Sequence, residues 1–359
     1  MKKHFYRFLS HISFGKIAQK AKRRYHMEKD KQNFLQNCIV CIGKNLNDIQ
    51  EKIKNFEIYE TGGEWFKDNF DEYLSQDLTD KYMAMLKNLD EESKWIFDVI
   101  LQRLLIAKSN DWNNTYFHAS AKEKIELQKI QDNLYNRIIP LGNGWYSYKT
   151  FLIPSNDLEP GIWYYNHFIK EIENLDKVKT GNIIDAGGYI GDSALVLSDY
   201  TDKKVYSFEP LPKSIELMNK LIKKNKNSKI VPIMKGLGNK DDTMYMPNIV
   251  SMGNVLSSKD SSGIAVEVTT LDKFVKENNL EVSCLKVDIE GFERYLLEGA
   301  METIKLQKPV LIISIYHNGH DLFEIKPWIE NLNLGYKFKI RKAWDHNTCR
   351  DTVLICEVR

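Results

Sequence analysis

An apolar run, Asn182 to Ile184, feeds a glycine-rich turn, Asp185-Ala186-Gly187-Gly188-Tyr189-Ile190-Gly191, and a helical pattern follows at once. That order restricts the local fold to a strand, a tight turn and a helix. Glycines let the chain turn sharply and bring a ligand against bare peptide groups, while the start of the helix offers N–H donors without intrahelical partners. Eighteen residues beyond Gly191 a second β-rich run, Val205-Tyr206-Ser207-Phe208, ends in Glu209. An acid at the tip of a second strand is placed to accept hydrogen bonds from ribose hydroxyls. A tight turn and an unrelated surface glutamate would give the same letters one at a time. Their spacing within one repeat of strand, helix and strand reads as a nucleotide cradle.

From about residue 180 strands alternate with helices, the pattern of a parallel sheet covered on both faces. The run Ile230 to Met234 makes a third strand, Cys284 to Val287 a fourth ending at Asp288, and Val310 to Ile315 a fifth ending near His317. Tyr336 to Ile340 and Thr352 to Glu357 flank a polar loop and are expected to pair antiparallel. Ligands of an open α/β sheet sit outside the carboxyl ends of its strands. Asp185, Glu209, Asp288 and His317 all fall there, and the loop with Trp344, Asp345 and His346 joins them if the last pair is a hairpin. In Lys286-Val287-Asp288-Ile289-Glu290-Gly291 the acid Glu290, like Glu293 after it, also suits the first turn of a helix, where the macrodipole favours carboxylates.

The 359 residues allow two domains, or one large domain with an extension. We read 1–140 as a helical region, with Ile96, Ile100, Leu104 and Ala107 on one face after Asp90-Glu91-Glu92-Ser93, then 141–175 as a hairpin and linker, then 176–359 as the cofactor domain. A net charge of +2 removes the bulk-charge argument for nucleic acid. The first 30 residues carry nine Lys or Arg against two acids with Phe5, Phe8 and Leu9 among them. That stretch suits either a helix packed on its own protein or contact with an anionic membrane surface. No run approaches the ~18 apolar residues of a spanning helix, so the expected location is cytoplasmic, at most peripheral to the inner membrane. The five cysteines are scattered, and Cys38-x-x-Cys41 lacks the second pair of a metal or redox motif.

Four segments in order resemble the FkbM-type S-adenosylmethionine-dependent methyltransferases: Ile184 to Ser193, Phe208-Glu209-Pro210, Val268-Thr269-Thr270-Leu271-Asp272, and Lys286 to Glu293. Ser314-Ile315-Tyr316-His317, Asp321-Leu322-Phe323 and Gly335-Tyr336-Lys337-Phe338 resemble the subgroup among bacterial surface-sugar genes. The likeness covers about 180–359, with a looser one at Leu89 to Ser93. It implies a Rossmann-like seven-stranded α/β methyltransferase sheet whose last strand is antiparallel. It further implies S-adenosylmethionine across the first two strand ends, with Asp185, Gly187, Gly188, Tyr189, Gly191, Asp192 and Ser193 around it and Glu209 on the ribose. A dinucleotide fingerprint would want glycine where this chain has Ala186.

The expected reaction is O-methylation of a sugar hydroxyl, on a nucleotide-activated sugar or a glycan precursor. Such a hydroxyl keeps its proton at neutral pH and needs a general base or a metal. Asp288, His317, Glu290 and, more weakly, His346 are the catalytic candidates. Asp288, Glu290 and His317 are also the candidate ligands of a manganese, iron or magnesium ion, with base catalysis by His317 preferred. Trp145 to Tyr148, Trp163 to Tyr165 and Trp344 are either core or sugar-stacking residues. A homo-oligomer through the helical region is a further expectation. The competing readings are an NAD-dependent sugar oxidoreductase and a non-catalytic cofactor-binding scaffold for glycan assembly.

Overall fold

The computed structural model describes residues 58–247 and 263–358, so the basic N-terminal stretch and the Cys38/Cys41 pair lie outside the described residues. Strands β1 (Ile58–Thr61) and β2 (Thr115–His118) form an antiparallel ribbon. Strands β3 (Ile139–Gly142), β4 (Trp145–Tyr148) and β5 (Phe151–Ile153) form a meander whose first turn, Asn143-Gly144, has positive φ at both residues. That turn matches the right-handed twist of the strands it joins. Then come β6 (Asn182–Ala186), β7 (Val205–Phe208) and β8 (Ile230–Ile233), followed by a small sheet of β9 (Gly236–Leu237), β10 (Asp242–Met246) and β11 (Ile264–Thr269). The chain ends with β12 (Val282–Val287), β13 (Val310–Ser314), β14 (Tyr336–Lys342) and β15 (Thr352–Val358).

Seven of these make the main sheet, in the order β14-β15-β13-β12-β6-β7-β8. Strands β12 and β13 are buried at every position, which is why they read as unbroken apolar runs rather than alternating ones. Strands β6, β7, β8, β12 and β13 pair parallel, and β15 runs antiparallel to both β13 and β14. The chain winds outward from β6 through β7 to β8, then returns to the other side of β6 as β12. Strand order therefore reverses between β6 and β12, and a crevice opens at their carboxyl ends.

The helix Glu91–Ser109 starts where the Asp90 carboxylate accepts the N–H of Ser93, and Ile96, Ile100, Leu104 and Ala107 point inward. It docks on β14 through Arg341, which reaches Asp90 at 3.0 Å and donates to Ser93 Oγ at 3.0 Å. One hydrophobic core consequently runs from Tyr59 in the helical region through Trp163 and Ile169 in the 141–175 stretch to Cys356 in β15. Trp163 and Trp344 are 3% and 4% exposed, so both are core rather than sugar platforms. Cys284, Cys349 and Cys356 are buried free thiols. No described helix is long and apolar enough to cross a membrane.

Candidate active site

At the switch point the glycine turn is pressed against the start of the loop after β12. Gly187 has φ +81°, and a Cβ there would stand 1.8 Å from the backbone O of Asp288. The N–H of Asp288 donates to Ala186 O at 3.1 Å, so the two loops are stitched together. Gly188 and Gly191 are needed for packing behind the turn, where added Cβ atoms would meet Ser207 Oγ at 2.1 Å and Met218 Cγ at 2.6 Å. Asp185 lies beneath the turn, fully buried, 3.1 Å from Lys286 Nζ and accepting from Ser207 Oγ at 2.6 Å. Lys286 also donates to Gly187 O at 3.0 Å. Asp185 thus holds the turn in shape from below and does not reach the cavity wall.

The cavity above the strand ends has a volume of about 420 Å³. Gly187, Tyr189, Asp192, Ser193 and Glu209 line one half, with Phe208, Leu211 and Leu237 as apolar walls. Glu209 accepts from the N–H of Tyr189 at 3.1 Å and of Leu211 at 2.9 Å. Burial nevertheless pushes its carboxyl up to about 7, and it pushes Asp192 up to about 6. Ser193 Oγ sits 3.0 Å from Nε2 of His167, a buried histidine in a run of three residues with positive φ, Asn166 to Phe168. Burial and, secondarily, Lys286 drive His167 down to about 3, so it stays neutral. Nothing in the local sequence marks His167, because its partner is 26 residues away.

The other half is walled by residues from the loops after β12 and β13, the β14–β15 loop, the 141–175 stretch and the helical region. His317 is 5% exposed, with Nε2 3.5 Å from Asp288 Oδ1 and 3.4 Å from Glu290 Oε2, and Nδ1 3.0 Å from Glu293 Oε1. Neither ring nitrogen is aligned for a hydrogen bond within the protein. Burial pulls the imidazole pKa down, but Glu293, then Asp288 and Glu290, outweigh it and lift it to about 10. Burial raises Asp288, yet Lys286 and His317 hold it below the usual carboxylate value. Glu290 is kept at φ +58°, an uncommon conformation for a residue with a side chain, followed by Gly291 at φ +90°. This backbone kink brings Glu290 over to His317.

Three candidates, Asp288, Glu290 and His317, therefore meet at one point. His346 does not join them: it is exposed at φ +67°, its ring 6.0 Å from that of Tyr59. Its loop instead sends Asn347 and Arg350 to the cavity. Glu293, read only as a first-turn acid, is fully buried and is the closest carboxylate to the histidine. Trp65, Glu159 and Tyr316 also line the cavity and carried no signal in the sequence beyond the closeness of Tyr316 to His317.

Residues 185–338 match the family model described as the methyltransferase FkbM domain. The match is to this stretch and not to the rest of the chain. The stretch contains the glycine turn, Glu209, Asp288 and His317, so every cofactor and strand-end candidate except His346 falls inside it. Methyltransferase FkbM from Methylobacillus flagellatus is 18% identical with a TM-score of 0.40, over 66% of this chain and 60% of that one. The chain thus spans about 60% of that protein's length. Fibrillarin from Aeropyrum pernix, a structure with natively bound S-adenosyl-L-methionine, is 12% identical over 54% of this chain and 74% of its own, with a TM-score of 0.33. An rRNA methylase from Streptococcus thermophilus is 11% identical over 56% and 99%, with a TM-score of 0.34. No curated protein matches the chain by sequence.

Proposed function

We propose that the protein transfers a methyl group from S-adenosylmethionine to a sugar hydroxyl, with His317 as general base. The observation behind this reading is one cavity with two unlike halves: a turn of bare peptide with the acid Glu209 on one side, and a histidine among three carboxylates on the other.

The first half suits the methyl donor on structural grounds. The whole cavity, at about 420 Å³, lies within the ~300–1,000 Å³ typical of small-molecule sites. Glu209 would hold the ribose hydroxyls, Phe208, Leu211 and Leu237 the base, and Gly187, Asp192 and Ser193 the methionine part. The donor supplies a methyl on a positively charged sulfur, to which the acceptor oxygen must be brought in line. Asp192 and Glu209 give that half a negative potential favourable to a sulfonium. The acceptor hydroxyl loses its proton to Nε2 of His317 as the C–O bond forms, while Glu293 on Nδ1 orients the ring and stabilises the resulting imidazolium.

A second reading of the same residues uses a divalent ion, because ligand atoms of Asp288, Glu293 and His317 all lie within 4.8 Å of one another. In that scheme these groups would hold a cation, which would supply Lewis-acid assistance to loss of the hydroxyl proton. Dialysis against a chelator followed by return of manganese, iron or magnesium separates the two. Full turnover by the stripped protein supports base catalysis, and turnover restored by one ion replaces it with metal assistance. Calorimetry with S-adenosylmethionine and with NAD tests the class itself, and NAD binding without donor binding would sink the methyltransferase reading.

Cofactor affinity has an expected pH dependence. The ionised carboxylate is the stronger acceptor for ribose hydroxyls, and Glu209 ionises at about 7. S-adenosylmethionine therefore binds several-fold more tightly at pH 8 than at pH 6, and Glu209→Gln flattens this dependence while weakening binding at pH 8. An unchanged slope in the variant would assign the titration to Asp192.

A further inference from the structure

Resting on the methyl-transfer reading, we propose that the acceptor is an uncharged sugar ring stacked on Trp65, its hydroxyls held by Glu159, Arg350 and Asn347, and not a sugar bearing a phosphate. The acceptor half of the cavity has one large aromatic on its wall from outside the sheet. Trp65 opens the helix Glu64–Leu74 and remains 44% exposed. Its ring is braced edge-on by Phe66 at 5.0 Å and by Phe70 at 5.9 Å. A braced indole with an open face packs on the apolar face of a pyranose at little entropic cost.

The polar groups nearby are of the kind that pair with hydroxyls. Glu159 and Arg350 are joined by an ion pair that links the segment before Pro160–Trp163 to the β14–β15 loop. Asn347 lies in the same loop and lines the same wall. Beyond them stands His317, almost wholly buried, its Nδ1 3.0 Å from Glu293 and its Nε2 on the side of Asp288 and Glu290, which line the cavity. A sugar ring between Trp65 and His317 meets an aromatic face, a guanidinium, an amide and carboxylates.

Charge decides against a phosphate. Glu159, Asp288 and Glu290 line this half, and Asp351 stands behind it against Gly161. The guanidinium of Arg350 is matched by Glu159. The two lysines on the described cavity wall are engaged elsewhere, Lys286 with Asp185 at 3.1 Å and Lys235 with Glu267 at 3.2 Å. A diphosphate would be desolvated among carboxylates, an arrangement that rejects anions while leaving neutral ligands unaffected.

The test is equilibrium binding to the full chain saturated with S-adenosylhomocysteine, using methyl glycosides of common hexoses and 6-deoxyhexoses beside the UDP- or GDP-linked forms of the same sugars. We expect at least one methyl glycoside to bind more tightly than its nucleotide-linked form. Trp65→Ala should weaken that binding about 10-fold, the ~1.4 kcal/mol of a lost stacking face. Trp65→Phe should keep most of it, and S-adenosylhomocysteine affinity should change in neither variant. Tighter binding of the nucleotide sugars, failure of every methyl glycoside to bind, or equal binding by Trp65→Ala would each overturn the proposal. Failure of the wild-type chain to bind S-adenosylhomocysteine would instead overturn the methyl-transfer reading beneath it.

Discussion

Gly187→Ala eliminates measurable binding of S-adenosylmethionine, a loss of at least 100-fold, and lowers the stability of the fold. At φ +81° a side chain costs about 1–2 kcal/mol by itself. The new Cβ would also stand 1.8 Å from the carbonyl oxygen of Asp288, a backbone atom that cannot rotate away. Overpacking of that kind adds about 1–3 kcal/mol and forces the turn off the loop after β12. Gly142 provides the control. Its φ is +86° but nothing lies within 4 Å of an added Cβ, so Gly142→Ala carries the conformational penalty alone. Calorimetric titration and thermal melts of the two variants measure the difference. Equal behaviour would mean that the contact between the turn and Asp288 does not shape the cofactor site.

His317→Ala is expected to lower kcat by about 10²–10⁴, the usual contribution of a general base, while S-adenosylmethionine affinity stays within a few-fold of wild type. The pH profile carries the sharper test. With its pKa near 10, His317 is protonated at neutral pH, and only the neutral ring accepts a proton. Turnover should therefore climb as pH rises from 7 toward 10, and the climb should vanish in His317→Ala. Asp288→Asn removes a carboxylate that supports the imidazolium, so its profile should shift to lower pH. A rate independent of pH in wild type, together with sensitivity to chelator, would replace the base with an ion. Stability moves the opposite way: because the folded pKa lies above the unfolded one of ~6.5, the charged histidine stabilises the fold fully below that pH, and the contribution is lost as pH rises through about 10.

The strand-end acids could be read from the sequence because parallel strands are buried on both faces, so the first polar residue after an apolar run marks the carboxyl edge. That reasoning places Glu209 and Asp288 directly. It also overextends. Asp185 has the same position in its strand, but the return of the chain as β12 puts Lys286 beside it, and the acid becomes a buried partner beneath the turn. His346 was expected there only through the hairpin of the last two strands, and its loop turns it outward and leaves Asn347 and Arg350 facing the cavity. Aromatic clustering was equally ambiguous, since Trp163 and Trp344 fill the core while Trp65 meets the site. A contact between residues far apart in the chain leaves no local trace, as with Trp65, Glu159 and His167.

The pattern of apolar runs, glycines and terminal acids determined by itself that this chain builds a parallel sheet with a tight glycine turn at a strand end, because backbone conformation and burial on two faces act over short stretches of sequence. Which strand returns beside β6, and so which charges meet, is decided by tertiary packing. The difference shows at His317: its neighbours in sequence identify a strand end, but only the approach of Asp288, Glu290 and Glu293 makes it a histidine that holds its proton to about pH 10.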